Sequence, residues 1–283
     1  MKLNQITVLM ILAFAVNARA MISSVEVQRA EGVNTPLRVY TPNHSTTQSL
    51  PLILLSPGLG GNESSYGFLA QALADDGWRV IVIGHRESGR APLRDSIRAK
   101  GLKDGVGSMV TDASLYRARQ MDVTAALHWG QQFCKPPLIV LAGHSMGGVT
   151  TMIEAGAHNL LGLTGQDRFD AYVVLSPEGP QPVFSADAWH GIHKPVLMLT
   201  GTRDSGVGGD WHWRVQAYED LPPGCAWLGI IDNASHFNFG GIGLGHQQIT
   251  PLIVRSVQEF LNGLRSGQCP TLHPMPGLTL KRK

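Results

Sequence analysis

The stretch Leu138-Ile139-Val140-Leu141-Ala142-Gly143-His144-Ser145-Met146-Gly147-Gly148 constrains the fold more than any other part of the sequence. Its apolar run suits a strand buried on both faces. The run leads directly into Gly-x-Ser-x-Gly, and a segment able to form a helix follows. A strand that turns sharply into a helix holds the Ser145 hydroxyl clear of the backbone, as a nucleophile requires. Side chains at 143 and 147 would collide where that strand and helix pack closely, so glycine is needed at both positions. In a chain with 33 glycines the five-residue pattern alone is weak. The strand before it, the helix after it and ordered partners downstream make it specific.

The rest of the chain repeats this strand-then-helix rhythm. Alternating or apolar runs at 24–29, 36–41, 50–56, 78–84, 172–175, 196–200 and 227–231 read as further strands. Helices are expected from about Ser64 to Gly77, with a Ser or Asn cap, and over 112–129 and 247–264. More helical stretches are expected between the later strands. The pattern predicts an α/β fold with a mostly parallel sheet of about eight strands and helices on both faces. No repeat or low-complexity linker divides it, so residues 21–283 are expected to form one domain. Residues 86–111 break the rhythm. They are long, polar and placed after a strand's carboxyl end, which fits a lid or cap loop or a solvated excursion.

The first twenty residues have the grammar of an export signal. Lys2 supplies a short positive region, 6–16 is apolar but too short to span a bilayer, and Ala18-Arg19-Ala20 fits the small-x-small cleavage rule. Cleavage after Ala20 would release a periplasmic or secreted product, and no later run is long enough to be a membrane span. A net charge of +2 without a Lys/Arg tract argues against a nucleic-acid partner. Lys281-Arg282-Lys283 reads as a solvated tail. Cys134, Cys225 and Cys269 lack metal-ligand spacing, so no metal site is expected. In an oxidising compartment disulfides are permitted. Cys225, ahead of the last expected strand, and Cys269, after the closing helix, are expected to pair and leave Cys134 free.

A serine hydroxyl becomes a good nucleophile only when a histidine takes its proton and a carboxylate fixes that histidine's tautomer. Among eleven histidines, His236 lies between the last expected strand and the closing helix, in Asn233-Ala234-Ser235-His236-Phe237. His44, His128, His158, His190, His193, His212 and His273 read as surface or packed residues. His144 is expected to point away from the nucleophile's face, and His85 and His246 to line the cleft. For the carboxylate, Asp204 is the only acid in the turn that ends the strand Pro195-Val196-Leu197-Met198-Leu199-Thr200. Glu178, which closes the preceding strand, competes with it and otherwise contacts substrate. Backbone N–H groups must stabilise the developing oxyanion. Met146, which follows the nucleophile, and Leu59 in Pro57-Gly58-Leu59-Gly60 are the expected donors. No Gly-Lys-Ser/Thr follows that loop and no G-x-G-x-x-G opens a helix, so neither a phosphate loop nor a dinucleotide site is expected.

Through Ser56-Pro57-Gly58-Leu59-Gly60, Gly143-His144-Ser145-Met146-Gly147-Gly148, Thr200-Gly201-Thr202-Arg203-Asp204 and Ala234-Ser235-His236-Phe237, the chain resembles the α/β-hydrolase superfamily over nearly all of residues 21–283. The order Ser145, Asp204, His236 is that of the superfamily. Within it, the chain is similar to exported bacterial esterases of the dienelactone hydrolase, platelet-activating-factor acetylhydrolase and cutinase types. The resemblance implies a cofactor-free Ser-His-Asp esterase, with Leu59 and Met146 as oxyanion donors. Two positions depart from it. Cutinase-type enzymes carry a tryptophan near the end of the sixth strand, where this chain has Glu178. Dienelactone hydrolases use a cysteine where this chain has Ser145.

The expected function is an exported serine hydrolase that cleaves soluble or short-chain carboxylic esters through an acyl-serine intermediate, acting as a monomer on small molecules. An acyltransferase on the same three residues and a non-catalytic binding module of the same fold are the alternatives. A lipase-type lid would offer an apolar face, but 86–104 carries Arg86, Arg90, Arg94, Arg98, Lys100 and Lys103 against Glu87, Asp95 and Asp104. Such a lid could attract anionic esters.

Overall fold

The computed structural model describes residues 19–43, 49–132, 135–206 and 208–283. Most of the expected export signal, His44 and the expected free thiol of Cys134 lie outside the described residues. Among the described residues nine strands form one sheet: β1 (Met21–Gln28), β2 (Asn34–Thr41), β3 (Leu52–Ser56), β4 (Arg79–Ile83), β5 (Ile139–His144), β6 (Ala171–Leu175), β7 (Val196–Arg203), β8 (Ala226–Ser235) and β9 (Leu278–Arg282). Their order is β1-β2-β4-β3-β5-β6-β7-β8-β9. The six strands from β4 to β8 in that order run parallel, and β1, β2 and β9 pair antiparallel at the margins.

The parallel strands are apolar on both faces because both faces are covered. Leu52, Leu54, Ile81, Leu141, Val174 and Met198 enter one core, and their neighbours Ile53, Leu55, Val80, Val140, Val173 and Leu197 enter the other. This period of two is the geometry of a strand whose successive side chains point to opposite sides. Helices α4 (Ala113–Gln131), α5 (Met146–Glu154) and α6 (Trp211–Asp220) contribute to the first core. Helices α1 (Gly67–Asp75) and α7 (His246–Leu264) contribute to the second. After β3 the chain crosses to β4 on one side and later returns to β5 on the other. The crevice between the carboxyl ends of β3 and β5 is therefore a topological switch point, where ligands bind in such sheets.

Several elements differ from the sequence-based expectation, each for a local reason. Helix α1 begins at Gly67, and its cap, Tyr66, is left-handed (φ 61°) and makes no side-chain cap bond. The expected capping residues are used elsewhere, since the Asn62 N–H donates to Ser65 Oγ (3.0 Å) in the preceding turn. Residues 86–111 form a 3₁₀ turn (Arg86–Ser88) and two helices, α2 (Arg90–Lys100) and α3 (Leu102–Val110), rather than a loop. No helix joins β6 to β7. Pro177, Pro180 and Pro182 lie in that connection, and each lacks the N–H that a helix interior needs. The expected solvated tail is instead part of β9, where Arg282 pairs with Trp227 and Lys281 with Leu228. Lys283 Nζ donates to the carbonyls of Glu219 and Leu221, both at 2.6 Å.

Cys225 and Cys269 form the expected disulfide. It ties the start of β8 to the segment after α7. Closing a loop of this length stabilises the fold by roughly 4 kcal/mol in the chain-entropy treatment.

Candidate active site

The turn between β5 and α5 places Ser145 at φ 54° and ψ −122°, a sparsely populated conformation for a residue with a side chain. The close packing expected of the flanking glycines is present. A Cβ on Gly143 would lie 2.1 Å from the Gly147 carbonyl oxygen, and one on Gly147 would lie 1.9 Å from that of Ser56. The Ser145 N–H donates to the Leu175 carbonyl (3.1 Å), so the turn at Ser145 is also tied to β6.

His236 begins the 3₁₀ turn that follows β8. Its Nε2 is 3.0 Å from Ser145 Oγ and its Nδ1 is 3.1 Å from Asp204 Oδ1. Asp204 is fully buried after β7, and its Oδ2 accepts from Thr200 Oγ1 (3.0 Å). The structure thus brings Ser145, His236 and Asp204 into one hydrogen-bonded line. Glu178 does not join it. Its carboxylate lies 3.7 Å from Arg214 Nη1 and, with Met146 and Tyr116, lines a separate cavity of only about 30 Å³. Burial pushes its pKa up.

Two groups around His236 were not foreseen from sequence. Ser176, at φ 56°, sets its hydroxyl 2.7 Å from His236 Nδ1 and 2.9 Å from Asp204 Oδ1. Arg214, from α6, is buried; its Nε pairs with Asp204 Oδ1 (2.8 Å), and its Nη2 lies 3.2 Å from His236 Nδ1. Neither has a sequence signal of its own, because their contacts to His236 join positions 22 and 60 residues apart.

His144 corrects the expectation that it faces away. It lines the same cavity as Ser145, its ring centroid is 4.8 Å from that of His236, and its Nε2 is 3.1 Å from the His236 carbonyl oxygen. Its Nδ1 meets Tyr66 Oη at 2.6 Å, and the same hydroxyl accepts from the Gly58 N–H (3.2 Å). Burial lowers the pKa of His144 well below the usual histidine range, with the neighbouring His236 next in effect. A neutral ring that accepts from Tyr66 at Nδ1 donates at Nε2, so His144 anchors the backbone of His236.

His85 corrects another expectation, because it does not line the cleft. It is buried, with Nε2 2.9 Å from Ser56 Oγ and Nδ1 2.8 Å from Asp122 Oδ2. Asp122 Oδ1 also accepts from Arg29 (3.3 Å) and Thr35. His246 lies outside the cavity lining as well, with Nδ1 3.0 Å from the Gly243 carbonyl oxygen at the start of α7.

Burial, foremost, lowers the His85 pKa to about 4. Above pH 6.5 the ring is neutral whether the chain is folded or unfolded. As the pH falls from 6.5 towards 4, the unfolded chain gains a proton that the folded chain does not, so stability is lost by up to about 3 kcal/mol. Urea unfolding should accordingly give a lower free energy at pH 4.5 than at pH 7.5, and His85→Gln should reduce that difference. Equal pH dependence in both proteins would rule His85 out as the cause.

Ser145 and His236 open onto a cavity of about 460 Å³ walled by Leu59, Tyr66, Phe68, Phe237 and Ile242. The glycine loop after β3 carries Leu59 to its rim, and Met146 is the first residue of α5. Gly58 packs so closely that a Cβ there would lie 3.3 Å from that of Ser145. Among the described residues no group of three His, Cys, Asp or Glu side chains could hold a metal ion. No helix among them is long and apolar enough to cross a membrane.

A strand-elbow-helix at the switch point of a mostly parallel sheet, with serine, aspartate and histidine following in that order, defines a class of protein. The chain belongs to the alpha/beta hydrolase fold family, whose model matches residues 51–209. It is also similar to Cutinase est2 of Thermobifida alba, with 27% identity over 201 residues, 70% of this chain and 56% of the relative. The chain thus matches little more than half the length of that relative.

Proposed function

We propose that the protein is a serine hydrolase of carboxylic esters. The observation that carries this reading is the line Asp204–His236–Ser145, with contacts of 3.1 and 3.0 Å at the mouth of a cavity. In this reading His236 Nε2 accepts the Ser145 proton as Oγ attacks the ester carbonyl. Asp204 keeps the other proton on Nδ1 and stabilises the imidazolium that forms. The backbone N–H groups of Leu59 and Met146 stabilise the oxyanion. His236 then protonates the departing alcohol, and water repeats the sequence on the acyl-serine. Glu178 stays outside this line and outside the lining of the larger cavity, so neither the acid's role nor the expected substrate contact falls to it. The similarity to a cutinase supports ester chemistry, and the disulfide fits a signal-bearing, exported product of one domain.

The cavity suits a small ester. Its walls are apolar, while α2 displays Arg90, Arg94, Arg98 and Lys100 to solvent. A panel of p-nitrophenyl esters of increasing acyl length tests this. The highest kcat/KM is expected on short, soluble esters, with the same products whether or not an alcohol acceptor is present. Activity rising steeply above the solubility limit of long-chain esters would reject the soluble-ester reading. Transfer to added alcohol in place of hydrolysis would convert the assignment to an acyltransferase.

A further inference from the structure

Beneath the nucleophile elbow lies a buried cation that the three-residue line does not use. Helix α4 directs Arg119 into the first core, where it is 1% exposed. Among the described residues it forms no ion pair; its donors go to neutral oxygens. Nε donates to Thr150 Oγ1 (2.9 Å), Nη1 to Ser88 Oγ (2.6 Å), and Nη2 to Ser56 Oγ (3.1 Å) and the Pro57 carbonyl. Desolvation lowers its pKa to about 10. A guanidinium held in this way carries a desolvation cost that an apolar side chain of similar volume would avoid. What it adds is direction, since its planar fork fixes several acceptors relative to one another.

Those acceptors belong to the two halves of the proposed oxyanion hole. Pro57 starts the loop that carries Leu59. Thr150 Oγ1 also donates to the Met146 carbonyl (3.0 Å), one turn back in α5. Ser88 adds a link on the loop side, because its carbonyl accepts from the Gly60 N–H (2.8 Å). Leu93 of α2 rests against the same loop, so close that a Cβ on Gly60 would lie 2.7 Å from its side chain. The segment 86–93 therefore braces the oxyanion loop from behind, and no residue of 86–111 lines the larger cavity.

We infer that Arg119 is a positioning residue that holds the Leu59 loop and the Met146 turn at the spacing an oxyanion requires. It does so by gripping Pro57 and Ser88 on one side and Thr150 on the other. This inference rests on the proposed function. Oxyanion donors act through geometry, and a misplacement near 1 Å costs about 10²-fold in rate.

The test compares Arg119→Met, Arg119→Lys and Thr150→Val with the parent enzyme. Each is assayed for kcat and KM on p-nitrophenyl acetate and for inhibition by a trifluoromethyl ketone. The hydrated ketone is in equilibrium with the free form, whose carbonyl carbon bonds to Ser145 Oγ and whose oxygen becomes the oxyanion. Both Arg119 variants should lose about 10- to 100-fold in kcat, with KM within a few-fold of the parent. The ketone's inhibition constant should rise in parallel. Arg119→Lys keeps the charge and loses the fork, so its loss marks geometry as the cause. Thr150→Val should lose about tenfold or less, and it carries the test if Arg119→Met does not fold. Unchanged kcat in both Arg119→Lys and Thr150→Val would overturn the inference, as would a kcat loss without weaker ketone binding. Turnover persisting in Ser145→Ala would instead remove the parent reading.

Discussion

Ser145→Ala is expected to lower kcat on the order of 10⁴-fold or more while leaving the melting temperature near that of the parent. The loss is chemical, because alanine can still adopt the elbow and no element packs through the hydroxyl. The Oγ contact that disappears is the 3.0 Å approach to His236 Nε2. A small residual rate should persist, since the proposed oxyanion donors and His236 can still act on bound ester and water. Intact-protein mass spectrometry after treatment with an organophosphonate should show one adduct in the parent and none in the variant. An adduct that survives in the variant would place the nucleophile elsewhere.

The second large effect separates the two candidate acids. Asp204→Asn is expected to reduce kcat by roughly 10³- to 10⁴-fold near neutral pH, because an amide favours the wrong imidazole tautomer. It also leaves Arg214 without the carboxylate that its Nε contacts at 2.8 Å, so a lower melting temperature should accompany the kinetic loss. Glu178→Gln is expected to have a much milder effect on kcat. Its carboxylate reaches Arg214 at 3.7 Å, at the edge of a small side cavity rather than against the imidazole. The two variants are compared by full kcat and KM determination on one soluble ester. The opposite ranking, with Glu178→Gln inactive and Asp204→Asn active, would move the acid to the end of β6.

The parts of this site that were legible in the sequence are those that local rules impose. Gly143 and Gly147 had to be glycine because their Cβ positions are occupied by backbone, and that requirement appears as a five-residue word. Asp204 and His236 were legible because each follows an apolar strand, and strand ends converge on one side of a parallel sheet. Ser176, Arg214 and Arg119 were not legible. A serine at a strand end or an arginine on a helix is an ordinary surface residue until the fold brings a distant acceptor to it. His144 and His85 went wrong for a related reason. The chain path places each near the cleft, but side-chain direction depends on partners (Tyr66 in one case, Ser56 and Asp122 in the other) that no local pattern announces. The connection from β6 to β7 was misread because strand-helix alternation was extended across Pro177, Pro180 and Pro182.

Strand β9 has a consequence for how the molecule meets its neighbours. An uncovered outer strand presents a row of free N–H and C=O groups, a template on which another chain can pair. Here β8, which leads into His236, has its outer side covered by Leu278–Arg282, and Lys281 and Arg282 place positive charge along the new border. On the far side β1 and β2 play the same part for β4. The parallel strands that lead into Ser145, Asp204 and His236 are thus framed by antiparallel hems. A chain that pairs with either margin would meet β1 or β9 before any strand that leads to Ser145, Asp204 or His236.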